Sequence, residues 1–418
     1  MLSLLFGFLI AISGLLGILF WDPFWGLVAF ACFTHIPPMQ ISPEYFVPLR
    51  IPFLLSIVTL VVYMFSGKYE NKFSFRPLDF WLLVIMLFGM VVGAAGAQSQ
   101  EWAWKFTGDF AKFVIFYLLL INIVNSAIKF KWFINSLMLS AAWLVYKCWD
   151  LRGTTGARFE NRNGGVVDDA NQFAAALILL CPIVINYALT KENDWRLRVG
   201  ALVGFFGIIM SIVLTGSRAG FLGASVMLVT CFCYFKEARK KLSVVLIIGI
   251  LATLPFVPDY YYTRMNNLFS SENVVVDASA QSRVNSWKLS FEVWKNKPWF
   301  GCGVRNFWFE MGVFEGVDGA GHVSHSLWFE ALSEGGVVVF LPFISLICLF
   351  FLNIRRAKKK QIINHGLLVC LQCGFIGFLV AATFVNRLFY EPIYWWSALS
   401  VVANKLSVDS GGLDYFEG

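Results

Sequence analysis

Charge is scarce in this chain. Only 14% of its 418 residues are Asp, Glu, Lys or Arg, where a soluble domain carries about a quarter, so a soluble globular protein is excluded. Ten-residue segments of alternating polarity are missing too, which excludes a membrane β-barrel. There is no disulfide framework. Most of the nine cysteines lie inside apolar runs (Cys32, Cys181, Cys231, Cys233, Cys348, Cys370 and Cys373), and Cys302 is the one expected clearly outside a membrane. Cys370 and Cys373 have a metal-like spacing but no His or acidic company, so core packing is the reading for both. No acidic cluster has divalent-metal geometry, and neither a metal nor a cofactor is expected. An internal repeat, the mark of inverted-repeat transporters, is absent. Residues 1–20 lack a positive n-region and a small-residue cleavage site, so they are expected to be retained.

What is abundant is apolar: 58% of residues are hydrophobic and 17% aromatic, with a mean hydropathy of +0.68. Runs of about 20 apolar residues, each long enough to span a bilayer, recur. Candidate spans cover 2–20, 24–36, 50–66, 79–97, 109–127, 132–148, 171–189, 198–215, 218–236, 242–257, 335–353 and 364–385, with a shorter last helix near 391–405. The fold class is therefore all-α: a polytopic membrane protein of 12 or 13 transmembrane helices.

Basic residues then set the orientation. Lys68, Lys72 and Arg76 lie in one loop, Lys129 and Lys131 in the next, followed by Lys191, Arg196 and Arg198, then Lys236, Arg239, Lys240 and Lys241, and last Arg355, Arg356, Lys358, Lys359 and Lys360. All follow odd-numbered spans and so share one face, which the positive-inside rule makes cytoplasmic. The net charge of +7 is thereby a topology signal and implies neither a nucleic acid nor an acidic partner; membrane lipids are the partners it implies. The chain divides into N-terminal helices (1–148), central helices with an Arg-rich external loop (149–257), a long external loop (258–323) and C-terminal helices with a short tail (324–418). Arg152, Arg158 and Arg162 stand in the first external segment and Arg264 in the second.

On this external face a few residues sit where an apolar chain gives them no obvious place. Thr215-Gly216-Ser217-Arg218 opens a span. The first N–H groups of a helix lack internal partners and carry partial positive charge, so a cation there is unfavourable unless an anion such as a phosphate faces both. The alternative is an arginine snorkelling to a lipid headgroup. Arg283 follows Ser282, a residue type suited to N-capping, and precedes Val284, Trp287, Phe291 and Trp294 at the spacing of an amphipathic helix; a plain surface arginine on an interfacial helix is the competing reading. His325 follows Ser324, another candidate cap, at the start of a helix running through Leu327, Trp328, Ala331 and Leu332. Protonation beside a helix N-terminus is disfavoured, and neutral imidazole is the form a general base needs; a structural His is the alternative. His322 is its neighbour. Glu330 and Glu334 fall on another helical face and read as structural partners. Asp168-Asp169-Ala170-Asn171 reads as an N-cap. Paired arginines can neutralise a diphosphate without a metal ion.

In this order the pieces resemble the bacterial O-antigen ligase and O-antigen polymerase superfamily. The matching motifs are Asp169-Ala170-Asn171-Gln172-Phe173-Ala174, then Thr215-Gly216-Ser217-Arg218-Ala219-Gly220, then Ser282-Arg283 with Trp287, Pro298, Gly301 and Gly303, and finally His325-Ser326-Leu327-Trp328-Phe329-Glu330-Ala331-Leu332-Ser333-Glu334-Gly335. The Trp-Asp-Pro and Ile-Pro-Pro turns of the N-terminal part resemble ligases that accompany exosortase systems. The resemblance implies a metal-independent, inverting glycosyltransferase of the inner membrane with its active site facing the periplasm. Its donor would be a glycan on undecaprenyl diphosphate and its acceptor lipid A-core or another glycan. It implies that Arg218 and Arg283 hold the donor diphosphate and that His325 is the catalytic base, with Arg264, Arg158, Arg162, Arg152 and His322 as further candidates. Where the family carries a His-Asn pair, this chain has His325-Ser326. A ligase and a polymerase would share this chemistry. A transporter for lipid-linked glycans would instead place charges mid-helix along a path, and a scaffold would give the three residues no common purpose.

Overall fold

The computed structural model describes residues 2–36, 51–69, 73–151, 169–190, 193–235, 239–244, 247, 278–310 and 323–406. Among them there is no strand, and the principal helices are α1 (Leu2–Phe20), α2 (Phe24–His35), α3 (Ile51–Phe65), α4 (Leu78–Ala95), α5 (Gln100–Ile123), α6 (Ala127–Leu151), α7 (Ala170–Leu189), α8 (Trp195–Leu214), α9 (Arg218–Tyr234), α10 (Ala278–Asn296), α11 (Leu327–Lys360), α12 (His365–Ala382) and α13 (Pro392–Lys405). Six of these, α4, α5, α7, α8, α11 and α12, are long and apolar enough to cross a membrane. The chain is an all-α polytopic membrane protein. Expected spans and helices agree closely, apart from α6, which starts at Ala127 rather than near 132, and two larger differences. Helix α5 starts at Gln100, ahead of the apolar run, because Ser99 begins a helical turn whose polar side chains stay exposed. Helix α11 joins the expected helix after His325 to the expected span from 335, with a break at Gly336 (φ 62°, ψ −167°). The expected span 242–257 lies almost wholly outside the described residues.

Side-chain bonds tie the helix ends into two layers. At one end Lys129 Nζ meets Asp22 Oδ2 at 3.0 Å and donates to Tyr69 Oη at 2.8 Å, while Lys68 Nζ donates to the Trp21 carbonyl. Lys405 Nζ reaches the Ile121 carbonyl at 3.1 Å, and Lys360 Nζ the Asn404 carbonyl. This basic end gathers the Trp21-Asp22 turn, the loop after α3, the first turn of α6 and the last turns of α11 and α13; Lys129 and Lys131, expected in a loop, lie within α6. At the other, outer end His35 Nε2 and Tyr390 Oη are 3.0 Å apart, and the Ser99 N–H donates to Asn306 Oδ1 at 2.7 Å. Helix α13 therefore runs from the outer end to the basic end.

Two close approaches position the outer end. Helices α7, α9 and α12 pack through small residues: a Cβ on Gly223 would lie 2.7 Å from the Gly377 carbonyl oxygen, and one on Gly374 would lie 2.4 Å from that of Leu179. Their outer ends are thus held side by side. The second approach is the docking of 298–306 into the break in α11. The Val337 N–H donates to the Pro298 carbonyl (2.9 Å) and the Val338 N–H to that of Trp299 (3.1 Å). In return Cys302 N–H donates to the Ser333 carbonyl (2.9 Å) and Gly303 N–H to that of Glu334 (3.0 Å). A Cβ on Gly336 would stand 2.3 Å from the Trp299 carbonyl oxygen, and one on Gly301 (φ 65°) 2.4 Å from the Glu334 carbonyl carbon. The Pro-Trp-Phe-Gly-Cys-Gly run is a backbone plug that satisfies the carbonyls and N–H groups freed by the helix break. Cys302, expected clearly outside the membrane, is 1% exposed within this plug, and burial pushes its thiol well above the usual range.

Candidate functional site

Arg218 is the first residue of α9, as its sequence context predicts. Gly216 (φ 58°) turns the chain, and Ser217 caps α9 by accepting from the Gly220 N–H at 2.9 Å. The same Ser217 hydroxyl donates to Asn171 Oδ1 at 2.6 Å. Asp169 caps α7, accepting from the N–H groups of Asn171 (2.8 Å) and Gln172 (3.3 Å). Two helix N-termini are therefore joined side by side, and a half-buried arginine heads one of them. Their partial positive charges point the same way, an arrangement suited to an anion.

His325 is not placed as expected. Ser324 does not cap the helix; Ser326 is the N-cap and α11 begins at Leu327. His325 precedes the cap, half-buried, with a left-handed backbone (φ 48°). Non-glycine residues held in this region cost free energy and collect at functional sites. What holds it is a polar frame: Ser324 Oγ donates to the Ser326 carbonyl (3.2 Å) and accepts from Asn386 Nδ2 (3.0 Å). Glu330 Oε2 accepts from the Leu388 N–H at 2.8 Å, and its Oε1 lies 3.7 Å from Arg305. Glu334 Oε2 accepts from the Arg305 N–H at 2.8 Å. Both glutamates are thus structural partners, as their helical phase suggested.

Arg283 also departs from expectation. Helix α10 begins at Ala278, so Ser282 is an interior residue rather than a cap, and Arg283 lies in the second turn instead of at the positive end. The local sequence Ala278-Ser279-Ala280 is compatible with helix and extends it backwards. The buried stripe differs too. Ser286, Ser290 and Val293 are buried, while Val284 and Phe291 are 40% and 41% exposed. Trp287 nevertheless anchors the helix: its ring stacks on Phe329 (5.7 Å between centroids) and approaches Phe384 (5.9 Å). Arg283 is one turn before Trp287 on the same helical face.

Sequence reasoning missed Arg387. It is 4% exposed, in the turn between α12 and α13, with its guanidinium 4.4 Å from the Tyr390 ring. Burial lowers its pKa to about 10, opposed by Tyr390, Asp169 and Glu330, so it remains a cation at neutral pH. Arg305 (φ 56°) is the other omission. An Asn-Arg pair on the face that lacks basic loops was the available signal for Arg387, and the glycines before Arg305 were the signal for it. Arg152, Arg158, Arg162, Arg264 and His322 lie outside the described residues. Among the described residues no group of three or more His, Cys, Asp or Glu side chains is placed to hold a metal ion. Cys370 and Cys373 are fully buried, with Cys370 Sγ 3.0 Å from the Pro182 carbonyl, as core packing requires.

Residues 203–344 match the sequence model of a family described as O-antigen ligase. The matched segment contains Arg218, Arg283 and His325, and it supports assignment to the O-antigen ligase and polymerase superfamily. Arg387 lies beyond it. No curated protein matches the chain.

Proposed function

We propose that this protein is an O-antigen ligase-like glycosyltransferase acting at the outer end of the bundle. The observation that carries the reading is the match of residues 203–344 to the ligase family, which takes in Arg218, Arg283 and His325. Three contacts at the outer end support it: Ser217–Asn171 beside Arg218, Trp287–Phe329 one turn beyond Arg283, and Ser324–Asn386 beside His325. In this reading the donor is a glycan on undecaprenyl diphosphate. Arg218, with the helix N-termini beside it, and Arg283 bind the diphosphate, and the forked guanidinium suits its oxygens. His325 takes the proton from an acceptor hydroxyl as that oxygen forms a bond to the anomeric carbon. The bond from that carbon to the diphosphate oxygen breaks, the configuration inverts, and undecaprenyl diphosphate leaves with its charge held by the arginines. The acceptor is lipid A-core or another glycan, and no metal takes part. The basic end faces the cytoplasm and the site faces the periplasm of the inner membrane.

The same residues serve polymerisation when the acceptor is itself lipid-linked. Purified protein, undecaprenyl diphosphate-linked glycan and EDTA, with and without lipid A-core, test both. An acceptor-dependent single band is the expected result. A ladder from donor alone would make the protein a polymerase. Product that forms only when Mg²⁺ replaces EDTA would contradict the metal-free mechanism, and no product in any tube would return the transporter alternative.

A further inference from the structure

The basic end holds a cavity that the reaction chemistry does not use. Its volume is about 750 Å³, and Lys68, Arg76 and Lys405 line it together with Ser74, Asn122 and Asn125. No acidic residue lines it among the described residues. The wall is built rather than incidental: the Ser74 N–H donates to Asn122 Oδ1 at 2.8 Å, Asn122 Nδ2 donates to the Leu118 carbonyl at 2.8 Å, and Lys405 is anchored to the Ile121 carbonyl. Three cations around a polar hollow, with amide side chains between them, suit phosphate oxygens.

The collar of the cavity is apolar and faces outward. Phe75 lines it and is 46% exposed. Trp81 is 51% exposed, its indole N–H donating to the Phe75 carbonyl at 2.9 Å. Helix α3 ends at Phe65, which is 82% exposed and lies two residues before Gly67 in the cavity wall. Aromatic side chains at a helix end mark the membrane–water boundary, and basic pockets between membrane helices on that side suit anionic headgroups. A soluble phosphate would have no use for such a collar.

We propose that this cavity binds the phosphate headgroup of an anionic phospholipid from the leaflet at the basic end, with Lys68, Arg76 and Lys405 around the headgroup and Phe65, Phe75 and Trp81 against its chains. The test uses the full chain in detergent, delipidated and then offered phosphatidylglycerol, phosphatidylcholine or inorganic phosphate, with retained lipid measured by native mass spectrometry and stability by thermal shift. Phosphatidylglycerol should be retained in preference to phosphatidylcholine and should raise the melting temperature. Lys68→Gln with Arg76→Gln should weaken that retention on the order of tenfold, while Lys68→Arg with Arg76→Lys should keep it. Equal retention of the two lipids by the wild type would overturn the proposal, and this arm needs no variant to fold. A thermal shift from inorganic phosphate equal to that from phosphatidylglycerol would also overturn it, in favour of a soluble anion.

Discussion

At the basic end Lys129 pairs with Asp22 at 3.0 Å while both side chains remain about a fifth exposed. At the outer end Glu330 is fully buried and Arg387 is 4% exposed; Asp169 and Glu330 act electrostatically on Arg387, and Arg305 lies 3.7 Å from Glu330. The two ends carry charge for different reasons. Partly exposed lysines cost less to place than fully buried ions, and basic residues report which side of a membrane they face. Buried ions carry a desolvation penalty of several kcal/mol each, and partners must offset it. A chain with so little charge overall buries Glu330, Glu334, Arg387 and Glu391 at the outer end, against Asp79 at the start of α4, and so, among the described residues, places most of its buried charged side chains there. The backbone leans the same way: His325, Arg305, Gly216, Gly301, Gly303 and Gly336 have positive φ at the outer end, against Gln361 at the basic end.

Substitutions that separate the two ends test this contrast. The largest loss of stability is expected at Arg387. Arg387→Ala removes a buried cation and leaves Glu330 with Arg305 alone, and should cost about 3–5 kcal/mol, read as a fall in melting temperature of the purified protein; a change no larger than that of a surface lysine would erase the contrast. Arg218→Ala and Arg283→Ala should each lower glycan transfer by about 10²–10³-fold with the melting temperature kept. Lysine at either place should rescue only in part, because a point charge lacks the bidentate fork; full activity of both Ala variants would remove the diphosphate clamp. Gly336→Ala forces a side chain into a left-handed backbone and against the Trp299 carbonyl, so a loss of about 1–3 kcal/mol is the minimum expected; hydrogen exchange should show the 298–306 plug loosening first. The smallest effect belongs to Lys129→Ala at the basic end, about 1 kcal/mol or less, with transfer unchanged.

How much of this was legible in the sequence follows the same division. Spans were readable because hydropathy is a local property: α7, α9, α12 and α13 lie within a few residues of their expected limits. The basic end was readable for the same reason, since each cationic loop announces itself. Arg218 was readable because its turn and cap are contiguous with it. Arg387 and Arg305 were not, because what gives each its meaning is distant in sequence: Asp169 and Tyr390 for one, Glu330 and Glu334 for the other. Buried polar pairing is decided by tertiary packing, which periodicity does not reveal. The N-cap expected at Ser282 failed for a related reason. A serine suits a cap or a helix interior, and the helix-compatible residues before it, packed through Trp287, settled the matter. At Ser324 the error was two residues, within the uncertainty of any helix end.

The most direct test of the central claim is the rate of glycan transfer by His325→Ala measured beside Lys129→Ala in the same liposomes. A base positioned at the outer end predicts a loss of about 10²–10⁴-fold for His325→Ala, with both proteins folded and Lys129→Ala at the wild-type rate. Equal rates for the two variants would contradict it and remove the outer end as the site of chemistry.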